Sequence, residues 1–201
     1  MSAPIDFYFD FSSPYAYLAS RMIGPVAEKH GREVNWHSFM LGAAFKGEKT
    51  MPLTMYPKKG AYSRLDFDRT ARKHGIPFNM PVDFPKVTLH ASRVFFWLSQ
   101  KDKVAAQAFG EAVFAAYFVD GRDISDASVV LDIAEEANLD RRGVEAVMQD
   151  AAIKEAYKAS VDDIVDGKEI FGAPYFVVDG EPFWGADRVG QIDEWLQTGG
   201  W

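Results

Sequence analysis

The feature that most constrains this chain is a short alternating stretch that runs directly into a Ser-Pro step. Apolar side chains fill every second position of Ile5–Phe9, which is the period of a β-strand. Ser13 then precedes Pro14, a pairing in which serine caps a helix and proline takes its first position. The helix is predicted to run to about Lys29, and a second alternating stretch covers Glu33–Phe39. The chain therefore begins as β-α-β.

The C-terminal part predicts a β-hairpin between two helices. Pro174–Val178 has the composition of a strand, an Asp-Gly pair follows as a two-residue turn signal, and Glu181–Trp184 is the returning strand. A helix over about Ala151–Val165 precedes the hairpin, and a final helix over about Asp187–Gln197 follows it. This part reads α-β-β-α.

The residues between these parts have helical patterns and no convincing strand. The expected helices are Ala61–Lys73, Thr88–Leu98, Lys103–Val119, Asp126–Glu136 and Arg141–Gln149. Ser125 and Asp140 are the expected caps of the last two helices. The stretches Gly42–Gly60 and Gly75–Pro85 are rich in Gly and Pro and are expected to be loops.

This order of elements predicts an α/β fold with a large α-helical insertion. Residues 61–150 would form the helical subdomain, inserted into a domain built from residues 1–60 and 151–201. A chain of 201 residues, 48% of them apolar, is long enough to bury a core and has an ordinary globular composition.

Composition excludes several classes of function. With 22 Lys and Arg against 29 Asp and Glu, the formal net charge is −7, and no basic cluster suits a nucleic-acid backbone. The absence of cysteine excludes a protein thiol nucleophile, a CxxC redox pair and a thiolate metal site. The four histidines lack metal-site spacing, and no segment has the pattern of a membrane span or a secretory signal. We expect a cytoplasmic protein that binds no metal, nucleic acid or membrane.

Four separate motifs carry a family resemblance. They are Asp6–Leu18 (DFYFDFSSPYAYL), Pro57–Tyr62 (PKKGAY), Phe171–Phe176 (FGAPYF) and Phe183–Arg188 (FWGADR). In this order, across nearly the whole chain, they resemble the 2-hydroxychromene-2-carboxylate isomerases and the kappa-class glutathione transferases of the DsbA-like thioredoxin superfamily. The resemblance implies a thioredoxin-like fold, glutathione as cofactor and a homodimer.

Ser13 is the catalytic candidate. A hydroxyl at the start of a helix, where the first backbone amides are unpaired, lies where hydrogen bonds and the helix dipole stabilise an anion. The resemblance implies that this hydroxyl donates to the sulfur of glutathione, and that Pro14 and Tyr15 contact the same ligand. On its own, the residue pattern is also that of a serine that only caps a helix.

The resemblance assigns the rest of the glutathione site. It implies a cis Ala173–Pro174 peptide whose Ala173 backbone pairs with the cysteinyl part of glutathione, whereas the base rate favours a trans proline that only starts a strand. Backbone amides at Ala186 and Asp187 would bind the γ-glutamyl carboxylate, and the Asp187 side chain would face the ammonium group; Asp187 is also an ordinary helix cap by residue type. Lys59, in a loop, would meet the glycine carboxylate, although most lysines are simply solvated.

The function implied by the resemblance is a glutathione-dependent isomerisation. The substrate would be 2-hydroxychromene-2-carboxylate or a similar aromatic hemiketal or α-keto acid, and the product its open-chain benzylidenepyruvate isomer. Met40–Phe45 and the helical insertion are the expected walls of the aromatic pocket. Two alternatives are a kappa-like transferase that conjugates glutathione to electrophiles and a non-catalytic thioredoxin-fold binding protein. The missing thiols exclude a disulfide oxidoreductase.

Overall fold

A computed structural model describes residues 3–201 and builds them around one four-stranded mixed sheet. Its strands are β1 (Ile5–Phe9), β2 (Val34–Ser38), β3 (Tyr175–Val178) and β4 (Glu181–Trp184), in the spatial order β2-β1-β3-β4. β1 pairs in parallel with β2 and antiparallel with β3, and β3 pairs antiparallel with β4. Asp179 and Gly180 have φ of 53° and 90°, which is the left-handed backbone that a two-residue hairpin turn requires.

Helices occupy most of the remaining described residues. They are α1 (Pro14–Lys29), α2 (Leu41–Glu48), α3 (Pro57–His74), α4 (Leu89–Ser99), α5 (Lys103–Phe118), α6 (Ala127–Glu136), α7 (Arg141–Gln149), α8 (Ala151–Asp162) and α9 (Val189–Thr198). Short 3-10 turns cover Leu53–Met55 and Ala186–Arg188, and a π-helical turn covers Asp163–Gly167. The predicted α/β class with a helical insertion between β2 and β3 is confirmed. The division into two domains stays a prediction.

The sheet separates two apolar layers. Alternation along β1 places Ile5, Phe7 and Phe9 in one layer, together with residues of α1, α9 and the inserted helices. Tyr8 belongs to the other layer, with Tyr175 and residues of α2 and α8. Phe9 is the centre of an aromatic cluster, with ring-centroid distances of 5.1–5.4 Å to Phe7, Phe11, Trp36, Phe95 and Phe114. None of the helices in residues 3–201 is long and apolar enough to cross a membrane.

The expected loop over Gly42–Gly60 is wrong, because this stretch contains α2, a 3-10 turn and the start of α3. Open space surrounds the position of a Cβ at Gly42, so this glycine marks no sharp turn or close approach. The start of α2 is held instead by the Asp10 carboxylate, which accepts the Leu41 amide at 2.8 Å. A contact between residues so distant in sequence leaves no local pattern to read.

Smaller differences concern helix ends. Asp140 caps α7 as predicted, accepting the Gly143 amide at 2.9 Å. α6 is capped by Asp126 rather than by Ser125, because Asp126 accepts the Ser128 amide at 2.8 Å. Ser125 hydrogen-bonds to an aspartate two residues before it instead. α8 ends at Asp162, and the predicted last turn is π-helical.

Replacing Phe9 by alanine tests the aromatic centre of the core. The ring is fully buried, so Phe9→Ala is expected to lower the free energy of unfolding by about 3–5 kcal/mol through lost apolar contact and a residual cavity. Urea denaturation measures this change. Leu65→Ala, at a side chain that is 66% exposed, is the control and is expected to change it by less than about 0.5 kcal/mol. If Phe9→Ala lowers the free energy of unfolding no more than the control does, the packing of Phe9 described here is contradicted.

Candidate active site

A cleft of about 1480 Å³ lies beside the start of α1. Its walls come from the β1–α1 turn, α2 and the residues after it, the inner side of α3, residues 84–87 and residues 171–174. Apolar side chains such as Met40, Leu41 and Phe45 line one wall, as the sequence predicted for this segment. Such a mixture of apolar walls and a few polar groups is typical of a small-molecule site.

Ser13 caps α1 at this cleft. Its backbone is extended, with φ of −93° and ψ of 112°, and its Oγ accepts the Ala16 amide at 3.2 Å. The same hydroxyl donates to the Ala173 carbonyl at 3.1 Å, although Ala173 is distant in sequence. The neighbouring Ser12 Oγ has no partner among the described residues, so Ser13 is the cap that the sequence predicted.

The first turn of α1 presents one available amide. Pro14 has no N–H and the Ser13 hydroxyl takes the Ala16 amide, which leaves the Tyr15 amide as a donor without an intrahelical partner. The positive end of the helix dipole lies at the same place. The site is therefore built to stabilise a negative charge next to the Ser13 hydroxyl.

The loop that faces α1 carries the second part of the site. The Ala173–Pro174 peptide is cis, as the resemblance implied, and a second cis peptide, Phe84–Pro85, lies in another cleft wall. Phe171 and Trp184 rings meet edge to face at 5.0 Å at the rim. Trp184 lies so close to the Gly172 backbone that a Cβ at Gly172 would overlap its indole nitrogen.

Tyr15 is held by an acidic partner that the sequence did not predict. Its hydroxyl donates to Asp66 of α3 at 2.7 Å, and Arg69 donates to the other oxygen of Asp66 at 2.6 Å. Burial alone would raise the pKa of Asp66, but the hydrogen bonds from Arg69 and Tyr15 outweigh it and lower that pKa. Burial and the nearby Asp66 raise the pKa of Tyr15, so its hydroxyl stays protonated. Only the fold brings α1 and α3 together, so no local signal identifies the pair.

Asp10 is a buried carboxylate behind the Ser13 turn and was also missed from the sequence. Its Oδ1 accepts the Ser12 amide at 2.8 Å and the Thr88 hydroxyl at 3.0 Å, and its Oδ2 accepts the Leu41 amide. It is 4% exposed. Burial raises the pKa of Asp10 above its usual value, although these donors counteract part of the effect.

Of the two predicted contact residues at the last helix, one departs from expectation in its role as a helix cap. Ala186 and Asp187 line the cleft, but Asp187 does not cap the last helix: it lies in a 3-10 turn, and α9 has no side-chain cap. Gly185, with φ of 119°, turns the chain so that the Asp187 carboxylate lies against Gly185 and pairs with Arg188 at 3.1 Å.

Lys59 is not in a loop. It lies in the first turn of α3, is exposed, and places its Nζ over the Tyr56 ring, 5.0 Å from the centroid. The structure does not bring it into the lining of the cleft with the other predicted residues. Within residues 3–201, no three His, Asp or Glu side chains form a group that could hold a metal ion.

Comparison with known proteins assigns the family. The family of DSBA-like thioredoxin domains matches residues 4–197. The chain belongs to this family. The resemblance to the isomerases and kappa-class transferases that the four motifs suggested is also confirmed by the relatives described next.

Relatives with enzyme names span nearly the whole chain. A 2-hydroxychromene-2-carboxylate isomerase from Sphingobium xenophagum is 28% identical, covering 98% of this chain and 99% of that protein. Glutathione S-transferase kappa 2 from Caenorhabditis elegans is 23% identical, covering 96% and 91%. A solved structure of a 2-hydroxychromene-2-carboxylate isomerase has a TM-score of 0.86 at 24% identity, covering 96% of this chain and 94% of that one.

Replacing Tyr15 by phenylalanine tests the contact with Asp66. Tyr15→Phe is expected to cost about 1 kcal/mol at neutral pH, since a hydrogen bond to a carboxylate is lost. A depressed folded-state pKa stabilises the fold above the pKa of an unfolded aspartate, about 3.9, and this stabilisation disappears as the pH falls through the folded-state pKa. The cost should therefore shrink in acid, as measured by urea denaturation at a series of pH values.

The matched control is Tyr62→Phe, at a side chain that is 61% exposed and whose hydroxyl accepts from Arg69 at 3.2 Å rather than donating to Asp66. It is expected to change stability by less than about 0.5 kcal/mol at every pH. A cost for Tyr15→Phe that is constant from neutral to acid pH would rule out a contact that depends on ionised Asp66.

Proposed function

We propose that this chain is a glutathione-dependent isomerase. It would convert 2-hydroxychromene-2-carboxylate, or a similar aromatic hemiketal or α-keto acid, to its open-chain benzylidenepyruvate isomer. The observation that carries the proposal is the Ser13 hydroxyl at the start of α1, facing the cis Ala173–Pro174 peptide in a chain with no cysteine. Relatives named for this isomerase, at 26–28% identity, support the choice of substrate class.

The residues around Ser13 fit a bound thiol tripeptide. Typical ligand pockets have volumes of roughly 300–1,000 Å³, so a cleft of about 1480 Å³ has room for two small molecules together. The Ser13 hydroxyl can rotate from the Ala173 carbonyl to a sulfur beside it. That rotation frees the Ala173 carbonyl to accept a hydrogen bond from an amide N–H of the ligand. The ligand backbone would then pair with this segment as an added β-strand does.

Glutathione, held by Ser13 and its neighbours, would supply a thiolate nucleophile for reversible addition to a conjugated double bond of the substrate. The chain's own contribution is electrostatic. Ser13 donates a hydrogen bond, the Tyr15 amide and the α1 dipole favour the anion, and the apolar α2 wall excludes water from one side. These groups lower the pKa of a thiol without becoming charged themselves.

The remaining contacts belong to the same proposal. Backbone amides at Ala186 and Asp187, which line the cleft, would bind the γ-glutamyl carboxylate, while Pro14 and Tyr15 would contact the cysteinyl part. The Lys59 contact with the glycine carboxylate stays a prediction, since Lys59 is not among the residues that line the cleft. A homodimer is proposed on the family resemblance alone, and the cytoplasmic location stays a prediction.

A kappa-like transferase is the second candidate. It is favoured by the kappa-class relatives, which align with 96% of this chain at 23–24% identity. The same Ser13 site would serve both reactions. In the isomerase the adduct of glutathione and substrate breaks down again, whereas in the transferase it is the product. Product analysis with a chromene carboxylate separates them, because only the transferase consumes glutathione.

The experiment is turnover of 2-hydroxychromene-2-carboxylate with and without glutathione, for the natural chain and for Ser13→Ala. We expect turnover to require glutathione and kcat to fall about 100-fold in Ser13→Ala, the usual cost of removing one donor to a reacting anion. Ser20→Ala is the matched control: this hydroxyl lies farther along α1, donates to the Tyr17 carbonyl and does not line the cleft.

Two results would overturn the proposal. One is turnover that is as fast without glutathione as with it. The other is a Ser13→Ala variant with unchanged rate and glutathione affinity. If calorimetry detects no glutathione binding at millimolar concentration, the non-catalytic binding protein becomes the better account.

A further inference from the structure

Asp10 is a buried carboxyl group that the proposed reaction does not use. Its carboxylate receives only donors: the Ser12 amide, the Leu41 amide and the Thr88 hydroxyl. An ionised carboxylate accepts hydrogen bonds and donates none, so three donors match the ionised form. No cationic side chain in residues 3–201 is paired with it.

Three helices begin around this carboxylate. Ser12 lies just before the cap of α1, Leu41 is the first residue of α2, and Thr88 is the N-cap position of α4. The positive ends of these helix dipoles stabilise a buried negative charge where no cation is present. The other titratable groups facing Asp10 are the hydroxyls of Tyr117 on α5 and Tyr157 on α8, and burial raises the pKa of both.

The position of Asp10 has two consequences for Ser13. Asp10 fixes the turn that carries Ser13 through the Ser12 amide, and the Ser13 amide donates to the Asp10 backbone carbonyl at 2.9 Å. When ionised, the Asp10 carboxylate also holds a negative charge at the Ser12 amide, one residue before Ser13. Like charges in a poorly solvated site raise the pKa of an acid.

We infer that Asp10 is a positioning residue of this site, whose charge limits how far the start of α1 acidifies a thiol held at Ser13. This limit on the acidity of the thiol keeps the thiolate reactive. A thiolate that is stabilised too strongly is a weak nucleophile, because nucleophilicity falls with the pKa of the thiol. An opposing carboxylate keeps the anion accessible but reactive. The statement that this limit serves a reaction of glutathione rests on the proposed function. The effect of the Asp10 charge on the pKa of a thiol at Ser13 does not.

The chain's lack of cysteine allows a test without glutathione. Ser13→Cys introduces a single thiol at the site, and its pKa can be measured from the pH dependence of thiolate ultraviolet absorbance or of alkylation by iodoacetamide. Adding Asp10→Asn removes the charge with little change of shape. We expect the thiol pKa to fall by about one pH unit, as for a unit charge several ångströms away in a site of intermediate dielectric.

The matched control is Asp6→Asn in the same Ser13→Cys chain. Asp6 is a carboxylate on β1, which ends one residue before Asp10; it is half-buried and pairs with His37 at 2.9 Å, away from the cleft lining. The Asp6→Asn substitution should leave the thiol pKa nearly unchanged. A thiol pKa that stays the same or rises in Asp10→Asn would overturn the inference, since a purely structural role predicts no selective fall.

A second measurement keeps Asp10 in place, so it tests the inference even if the Asp10→Asn variant does not fold. In the Ser13→Cys chain with Asp10 intact, carbon-13 NMR of the Asp10 carboxyl should show an inflection at the pKa of the introduced thiol. A carboxyl signal that does not respond to this titration would contradict the inference. If glutathione fails to bind the natural chain while these thiol results hold, the proposed function fails and the role of Asp10 stands.

Discussion

The Ser13 hydroxyl joins two parts of the chain that are 160 residues apart. It accepts the Ala16 amide inside α1 and donates to the Ala173 carbonyl, just before β3. The rest of the site depends on this contact, because it sets the start of α1 against the cis Ala173–Pro174 loop. The paired central strands β1 and β3 support this contact. β1 ends shortly before Ser13, and β3 begins shortly after Ala173.

This arrangement explains how a thioredoxin-like fold can keep an anion site without a cysteine. The unpaired amide of Tyr15, the dipole of α1 and the Ser13 hydroxyl are features of backbone and cap geometry, so they do not require a thiol in the protein. Under the proposed function, the reactive sulfur comes from a ligand in the cleft beside this site. The buried Asp10 carboxyl group behind the turn, when ionised, opposes the stabilisation of an anion at the same site.

Features encoded by neighbouring residues could be predicted from the sequence. The Ser-Pro start of α1, the Asp-Gly hairpin and the Asp140 cap each depend on residues within a few positions, and the structure has all three. Ser13 could also be selected over Ser12 from the position of Pro14, because only the residue before the first helical turn can cap it.

Features held by contacts between distant residues could not be predicted in this way. α2 begins where Asp10 accepts the Leu41 amide, and Tyr15 finds Asp66 only after α1 and α3 pack together. Asp187 has the residue type of a cap, yet the backbone at Gly185 directs it elsewhere. The site therefore follows from local signals at its centre and from tertiary contacts at its walls.

A crystal structure with glutathione bound tests the central claim most directly. We predict that the glutathione sulfur lies within hydrogen-bond distance of the Ser13 hydroxyl and the Tyr15 amide, with the Ala173 carbonyl released to the ligand. A sulfur bound elsewhere in the cleft, with the contact between Ser13 and Ala173 intact, would contradict it.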